Sequence, residues 1–207
     1  MDPLVLLSFL GAAILLTLMP GPDILFVIAQ SLSQNKKAGI FTALGLCTGL
    51  IVHITAATLG ISAIVYQSAI AFTIVKYAGA LYLFYLAWMS FRDKGQPFSI
   101  KQHDSIHYGS LYKKGILMNL LNPKVSLFFL ALLPQFIDNS WGHISLQMFI
   151  LGVIFLIQAL FVFSVVSIFA GKIGQWLSNH SFIARKINVI QGTLFGIIGL
   201  QIAISEK

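Results

Sequence analysis

Apolar runs long enough to cross a lipid bilayer recur along this chain, separated by short polar or basic stretches. A spanning helix needs about 20 predominantly apolar residues. Runs of that kind lie near 4–30, 38–64, 70–91, 112–137, 145–170 and 188–204. The pattern predicts an all-α, polytopic membrane protein of about six transmembrane helices. Composition agrees, at 57% hydrophobic, 9% charged and mean hydropathy +0.89, where a soluble domain carries roughly a quarter charged residues. No stretch remains that could bury a soluble core, so residues 1–207 are expected to form a single membrane domain. The first run begins Met1-Asp2-Pro3 without a basic n-region and continues past signal-peptide length, so it is expected to remain as a span.

The formal net charge of +7 would suggest nucleic acid in a soluble protein, but the positions of the charges give another reading. Lys36 and Lys37 fall in the first loop, Arg92, Lys94, Lys101, Lys113 and Lys114 in the third, and Lys172, Arg185 and Lys186 in the fifth. Those loops share one face, and the opposite face holds only Lys76 and Lys207. The positive-inside rule then puts the odd loops in the cytoplasm and both termini outside. Anionic lipid headgroups account for the basic balance, and no nucleic-acid partner is expected.

The one substantial polar linker, about 92–111, divides the chain into a first three-helix half (about 1–91) and a second (about 112–207). Three spans per half is an odd number, so related halves would enter the membrane from opposite sides, as in the 3+3 inverted repeats of secondary transporters. No residue-by-residue repeat is visible. The support is positional: the first span of one half carries Pro20-Gly21-Pro22-Asp23, and the first span of the other carries Asn122-Pro123-Lys124. Proline lacks a backbone N–H and its ring clashes with the preceding turn, so each span is expected to break there. In lipid, such irregular backbone is tolerated only where protein buries it or a wet cavity meets it.

Both breaks carry a charge at an uncomfortable depth. Lys124 lies ten or eleven residues beyond Lys113 and Lys114, about 15 Å into the membrane at ~1.5 Å per residue. An isolated charge at mid-bilayer costs roughly 2.5–3.5 kcal/mol on insertion scales, so it faces a cavity or a partner. Asp23 and Lys124 are therefore expected to face one central cavity, paired directly or through substrate. A structural alternative makes Asp23 the N-cap of the following half-helix, and another places Asn122 to Lys124 in a loop at a misdrawn span boundary. An exposed half-helix N-terminus would favour a substrate carboxylate, and freed carbonyls an ammonium group.

Further polar residues sit inside the spans. His53 has Gly49 one turn before and Ala57 one turn after it, which leaves room for a proton carrier or substrate contact, or equally for a hydrogen-bonded packing histidine. Asn119, Gln135 and Gln158 read as cavity or interhelical hydrogen-bonding groups, with packing preferred. Gly45 with Gly49 and Gly192 with Gly196 are GxxxG pairs that let helices approach closely. Trp88, Trp141, Tyr66 and Tyr112 fall near span ends, as interfacial aromatics do. His103 and His107 could share a helical face and bind a metal, but the stretch lacks helical periodicity and reads as a solvated loop. The fifth loop, 172–186, mixes apolar and basic residues and is expected to lie along the interface. Cys47, the lone cysteine, excludes an internal disulfide and reads as a packing residue.

On Met19-Pro-Gly-Pro-Asp23, on Gly39, Gly45 and Gly49 followed by His53, and on Asn119-Leu-Leu-Asn-Pro-Lys124 through Phe128-Phe129 to Pro134-Gln-Phe136, the chain resembles the LysE/RhtB family of bacterial amino-acid exporters over nearly its whole length. The family's Pro-Gly-Pro signature falls on Pro20, Gly21 and Pro22, and its Asn-Pro-Lys signature on Asn122, Pro123 and Lys124. The resemblance implies efflux of amino acids and related metabolites across the bacterial inner membrane, driven by the proton motive force. With the depth and polarity arguments above, the candidate substrate-binding or coupling residues are Asp23, Lys124, Asn122, His53 and Asn119, with Pro20, Gly21, Pro22 and Pro123 at the breaks. Expected partners are a small-molecule substrate, protons and membrane lipid, with a homo-oligomer left open, and no cofactor or bound metal is expected. Two rival readings are an intramembrane enzyme using Asp23 and His53, and a metal-ion exporter of the same superfamily. Against the first, HExxH and Gly-x-Ser-x-Gly motifs are missing, and against the second, His and acidic residues are sparse.

Overall fold

The computed structural model describes residues 2–19, 21–61, 69–92, 107–179, 189, 192–193, 196–197, 199–200 and 203–204. Every regular element among them is helical. Helix α1 (Pro3–Leu18) starts where Asp2 accepts the Leu4 N–H and Pro3 takes the first helical position, a place where proline's missing N–H costs nothing. Helix α2 (Pro22–Ser33) follows the first break, and α3 (Lys36–Ala56) starts at Asn35, whose side chain accepts the Ala38 N–H at 3.0 Å. A π-helical turn, Ala57–Ile61, extends α3. Helix α4 spans Ala69–Arg92 and α5 spans Tyr108–Leu120. After the second break, α6 (Pro123–Leu127) continues through a π turn, Phe128–Leu132, and a 3₁₀ turn, Leu133–Phe136. Helix α7 covers Ile144–Asn179.

Two stretches, Lys36–Gly60 and Ile144–Ala170, are each long and apolar enough to cross a membrane. Two further spans result if Pro3–Leu18 with Pro22–Ser33, bent by 54°, and Tyr108–Leu120 with Lys124–Phe136, bent by 50°, are broken spans. Both breaks fall where the prolines predict them, so Asn122 to Lys124 interrupts a helical path instead of marking a loop. The sixth apolar run and the linker with His103 lie largely or wholly outside the described residues, as does Tyr66. His107 is exposed at the start of α5.

One expectation needs correcting. The stretch from Lys172 to Asn179, read as the start of the fifth loop, continues α7 as helix. Nothing between Lys172 and Asn179 breaks the backbone, and 36 residues at ~1.5 Å each give a rod of about 54 Å. That exceeds a hydrocarbon core of ~30 Å, so the polar end of α7 projects beyond it.

The tightest helix pair is α3 against α5. An added Cβ at Gly45 would strike the Tyr112 backbone, one at Gly115 would lie 2.6 Å from the Thr42 carbonyl oxygen, and one at Gly49 would lie 2.9 Å from Asn119 Cβ. The first GxxxG pair thus builds the scaffold, together with Gly115 opposite it. In the second pair, a Cβ at Gly192 would meet Phe91, while Gly196 has open space. Cys47 is buried and unpaired in the core. At one end of the bundle Ser31 Oγ donates to Ser167 Oγ at 3.0 Å, Ser167 Oγ donates to the Lys36 carbonyl at 2.7 Å, and an added Cβ at Gly39 would strike both serines. Asn35 meets the Tyr108 hydroxyl nearby. The first loop, the start of α5 and the late part of α7 therefore share one end, as the charge pattern requires. At the other end, buried Gln147 holds the 138–142 turn by accepting from the Asp138 N–H and donating to the Asp138 and Gly142 carbonyls.

Candidate functional site

The two breaks meet inside the bundle and bring buried polar groups together. At the first, Gly21 is the N-cap of α2, Pro22 its first residue, and Asp23 lies in the first turn. Asp23 is therefore not the cap. Its side chain is buried, 4% exposed, and Oδ2 accepts from Asn119 Nδ2 at 3.0 Å. Pro20 lies outside the described residues.

At the second break Asn122 is the N-cap of α6: its Oδ1 accepts the Lys124 N–H at 3.0 Å. Pro123 occupies the first helical position. The Asn122 amide also lies against the Asp23 carboxylate. Yet neither Asn122 Nδ2 nor Asp23 Oδ1 has a partner at hydrogen-bond distance among the described residues, and Asn119 Oδ1 has none either. Asn122 Nδ2 and the Asp23 carboxylate are thus a donor and an acceptor set against one another outside hydrogen-bond distance, and Asn119 Oδ1 lies toward Gly49 of α3.

Of the two arrangements expected for Asp23 and Lys124, a direct pair or one made through substrate, no direct hydrogen bond joins the two side chains. Lys124 Nζ donates to the Leu16 carbonyl at 2.9 Å and the Met19 carbonyl at 3.2 Å, at the broken end of α1. Gly21 makes the approach possible, since a Cβ there would sit 3.1 Å from Nζ. The ammonium is thus bound to backbone oxygens, and the Asp23 carboxylate draws its hydrogen bond from Asn119. His53, half-buried on α3, places Nε2 3.2 Å from the Asn119 carbonyl and stacks on Phe129 with ring centroids 6.0 Å apart. Phe129 and Phe128 pack against Phe155 of α7, and Phe9 of α1 packs against Phe128 and Phe136. An aromatic wall therefore flanks the polar cluster.

The structure gathers Asp23, Asn119, Asn122, Lys124 and His53, the five residues the motifs single out, around the two breaks. Gln158, on α7, donates to Thr17 Oγ1 at 2.9 Å and ties α7 to the last turn of α1, in keeping with a packing role. Gln135 is exposed and donates to the Ala131 carbonyl of its own helical path. Gly115 carries no motif, and its role is visible only once α3 and α5 are paired. Among the described residues no three His, Cys, Asp or Glu side chains converge.

A family model for LysE type translocators matches residues 5–206. An uncharacterized membrane protein of Vibrio cholerae is 32% identical over 207 residues, covering 100% of both chains. The uncharacterized membrane protein YrhP of Bacillus subtilis is 35% identical over 205 residues, covering 93% of this chain and 96% of that protein. The leucine efflux protein of Salmonella typhimurium is 28% identical over 192 residues, covering 91% of this chain and 89% of that protein. No solved structure matches.

Proposed function

Because the chain belongs to the LysE type translocator family, we propose that it exports amino acids or closely related small metabolites from the cytoplasm across the bacterial inner membrane. A translocator moves its substrate intact, so family membership displaces the reading of Asp23 and His53 as an enzyme's acid and base. The observation that carries the substrate class is the buried Asp23 carboxylate where the two breaks meet, which accepts from Asn119 Nδ2 and stands against the Asn122 amide. An α-ammonium group would supply donors and a matching charge to that carboxylate. The Asn122 Nδ2 donor and the N-terminal amides of α2 suit the substrate's carboxylate. An apolar side chain would lie against the Phe128, Phe129 and Phe155 wall, and the leucine efflux relative favours such a substrate.

In this account Asp23 also exchanges the ammonium for a proton, which couples export to the proton motive force. The matching 54° and 50° bends support two three-span halves related as an inverted repeat, rocking about the cluster. The basic end of the bundle faces the cytoplasm and both termini lie outside. Counterflow with a panel of radiolabelled amino acids, in liposomes containing the purified protein, tests the reading. L-Leucine and other apolar amino acids should be retained against unlabelled internal substrate, and a blank panel would remove the proposed substrate class.

A further inference from the structure

We propose that the two broken helices cap one another: each half of the chain supplies a side-chain donor to the carbonyl that stands four residues before the other half's proline. In an α-helix the carbonyl of one residue bonds the N–H four residues later. Leu16 stands four residues before Pro20, and Asn119 four before Pro123. Neither proline has an N–H to give. At the first break the missing donor is Lys124 Nζ, 2.9 Å from the Leu16 oxygen and 3.2 Å from that of Met19. At the second, His53 Nε2 is the side-chain donor, 3.2 Å from the Asn119 oxygen. That oxygen also receives the Asn122 N–H at 3.0 Å, which closes a tight turn and leaves its second lone pair to the histidine. A carbonyl only accepts, so Nε2 carries the hydrogen in this contact.

The donors are exchanged between halves. Lys124 belongs to the second half and serves α1, while His53 belongs to the first and serves α5. A glycine opens each path: an added Cβ would lie 3.1 Å from Lys124 Nζ at Gly21, and 2.9 Å from Asn119 Cβ and Oδ1 at Gly49. The arrangement answers the lipid setting, where water cannot solvate a freed carbonyl. It makes Lys124 and His53 positioning residues that hold Asp23 and Asn119 in place, and it leaves the Asp23 charge for the guest. It also links the halves, because any rocking that parts them must carry or break both bonds. None of this depends on which substrate is moved.

The test is a pair of double-mutant cycles on the full-length protein, read as melting temperature in detergent micelles. Lys124→Met should lower the midpoint by about 5 °C or more, the effect of leaving buried carbonyls unserved. Pro20→Ala restores an N–H that Leu16 can use, so Pro20→Ala with Lys124→Met should melt closer to wild type than Lys124→Met alone. His53→Phe removes one of two donors to the Asn119 oxygen, so its loss should be smaller but again recovered in part by Pro123→Ala, and His53→Gln, which keeps a donor, should stay near wild type. L-Leucine counterflow should follow the melting order, with Lys124→Met slower by roughly tenfold or more, as expected when binding groups shift by about 1 Å. Additive losses in the double mutants, or an undisturbed Lys124→Met, would overturn the proposal. If Lys124→Met does not accumulate, the yield of folded protein is compared instead: recovery with Pro20→Ala supports the cap and failure of both rejects it. A wild-type protein inert toward L-leucine would remove the substrate reading while the melting cycles still decide the capping.

Discussion

Replacing Gly115 by alanine tests whether close approach of α3 and α5 sets the geometry of the site. The added Cβ would lie 2.6 Å from the Thr42 carbonyl oxygen, 3.0 Å from the Leu46 nitrogen and 3.1 Å from Gly45 Cα. All three are backbone atoms, so no side chain can swing aside. Ordinary contact begins at 3.4 Å, so the helices must separate locally by about 0.8 Å to relieve the Thr42 clash. Overpacking of this kind costs about 1–3 kcal/mol, or roughly 2–12 °C of melting temperature at 2–4 °C per kcal/mol. The shift also reaches the site: the His53 to Asn119 contact of 3.2 Å would stretch toward about 4 Å, beyond hydrogen-bond distance. Gly115→Ala should therefore lower both the melting temperature in detergent and the initial rate of transport. Gly60→Ala, where a Cβ meets nothing within 4 Å, serves as the control. An unchanged melting temperature and an unchanged rate in Gly115→Ala would refute the packing argument.

Substitutions at two other residues separate further roles. Asn122→Asp keeps the oxygen that caps α6 but replaces the Nδ2 donor with a second carboxylate oxygen against that of Asp23, so both the melting temperature and the apparent affinity for a zwitterionic amino acid should fall, the latter by roughly tenfold. Asn122→Ala should lose the cap as well, at about 1 kcal/mol, seen as a lower melting temperature. Gln147→Ala removes three hydrogen bonds to the 138–142 turn, at about 1 kcal/mol each. Limited proteolysis should then cut that turn faster, with the apparent affinity for substrate unchanged.

Much of the site was legible in the sequence because its chemistry is local. A proline in an apolar run has no N–H whatever the tertiary structure, so both breaks could be placed, and Asp23 and Lys124 stood out by depth alone. Their partners were not legible. The Asp23 to Asn119 and His53 to Asn119 contacts join residues 96 and 66 positions apart, and Lys124 reaches back 108 positions to Leu16. Depth left open whether Asp23 and Lys124 pair directly or through substrate, whereas counting four residues back from each proline would have named the Leu16 and Asn119 carbonyls as groups that lose their usual helical donor. Gly115 sits in no motif, and the Ser31, Gly39 and Ser167 junction depends on three helices at once. The reach of α7 past Lys172 was hidden because Lys172 and the polar Gln175, Ser178 and Asn179 after it mimic a loop, although the helix runs on through them.

The central claim is that Asp23 holds the ammonium group of the transported molecule. The most direct measurement is counterflow of radiolabelled L-leucine in proteoliposomes containing either the wild-type chain or Asp23→Asn, followed across external pH. The wild type should retain label with a pH-dependent rate. Asp23→Asn should lose apparent affinity by roughly 10- to 100-fold, the equivalent of a charge-assisted hydrogen bond of ~1.5–3 kcal/mol, and its remaining rate should no longer vary with pH. Equal uptake by the two proteins, with the same pH dependence, would contradict the account.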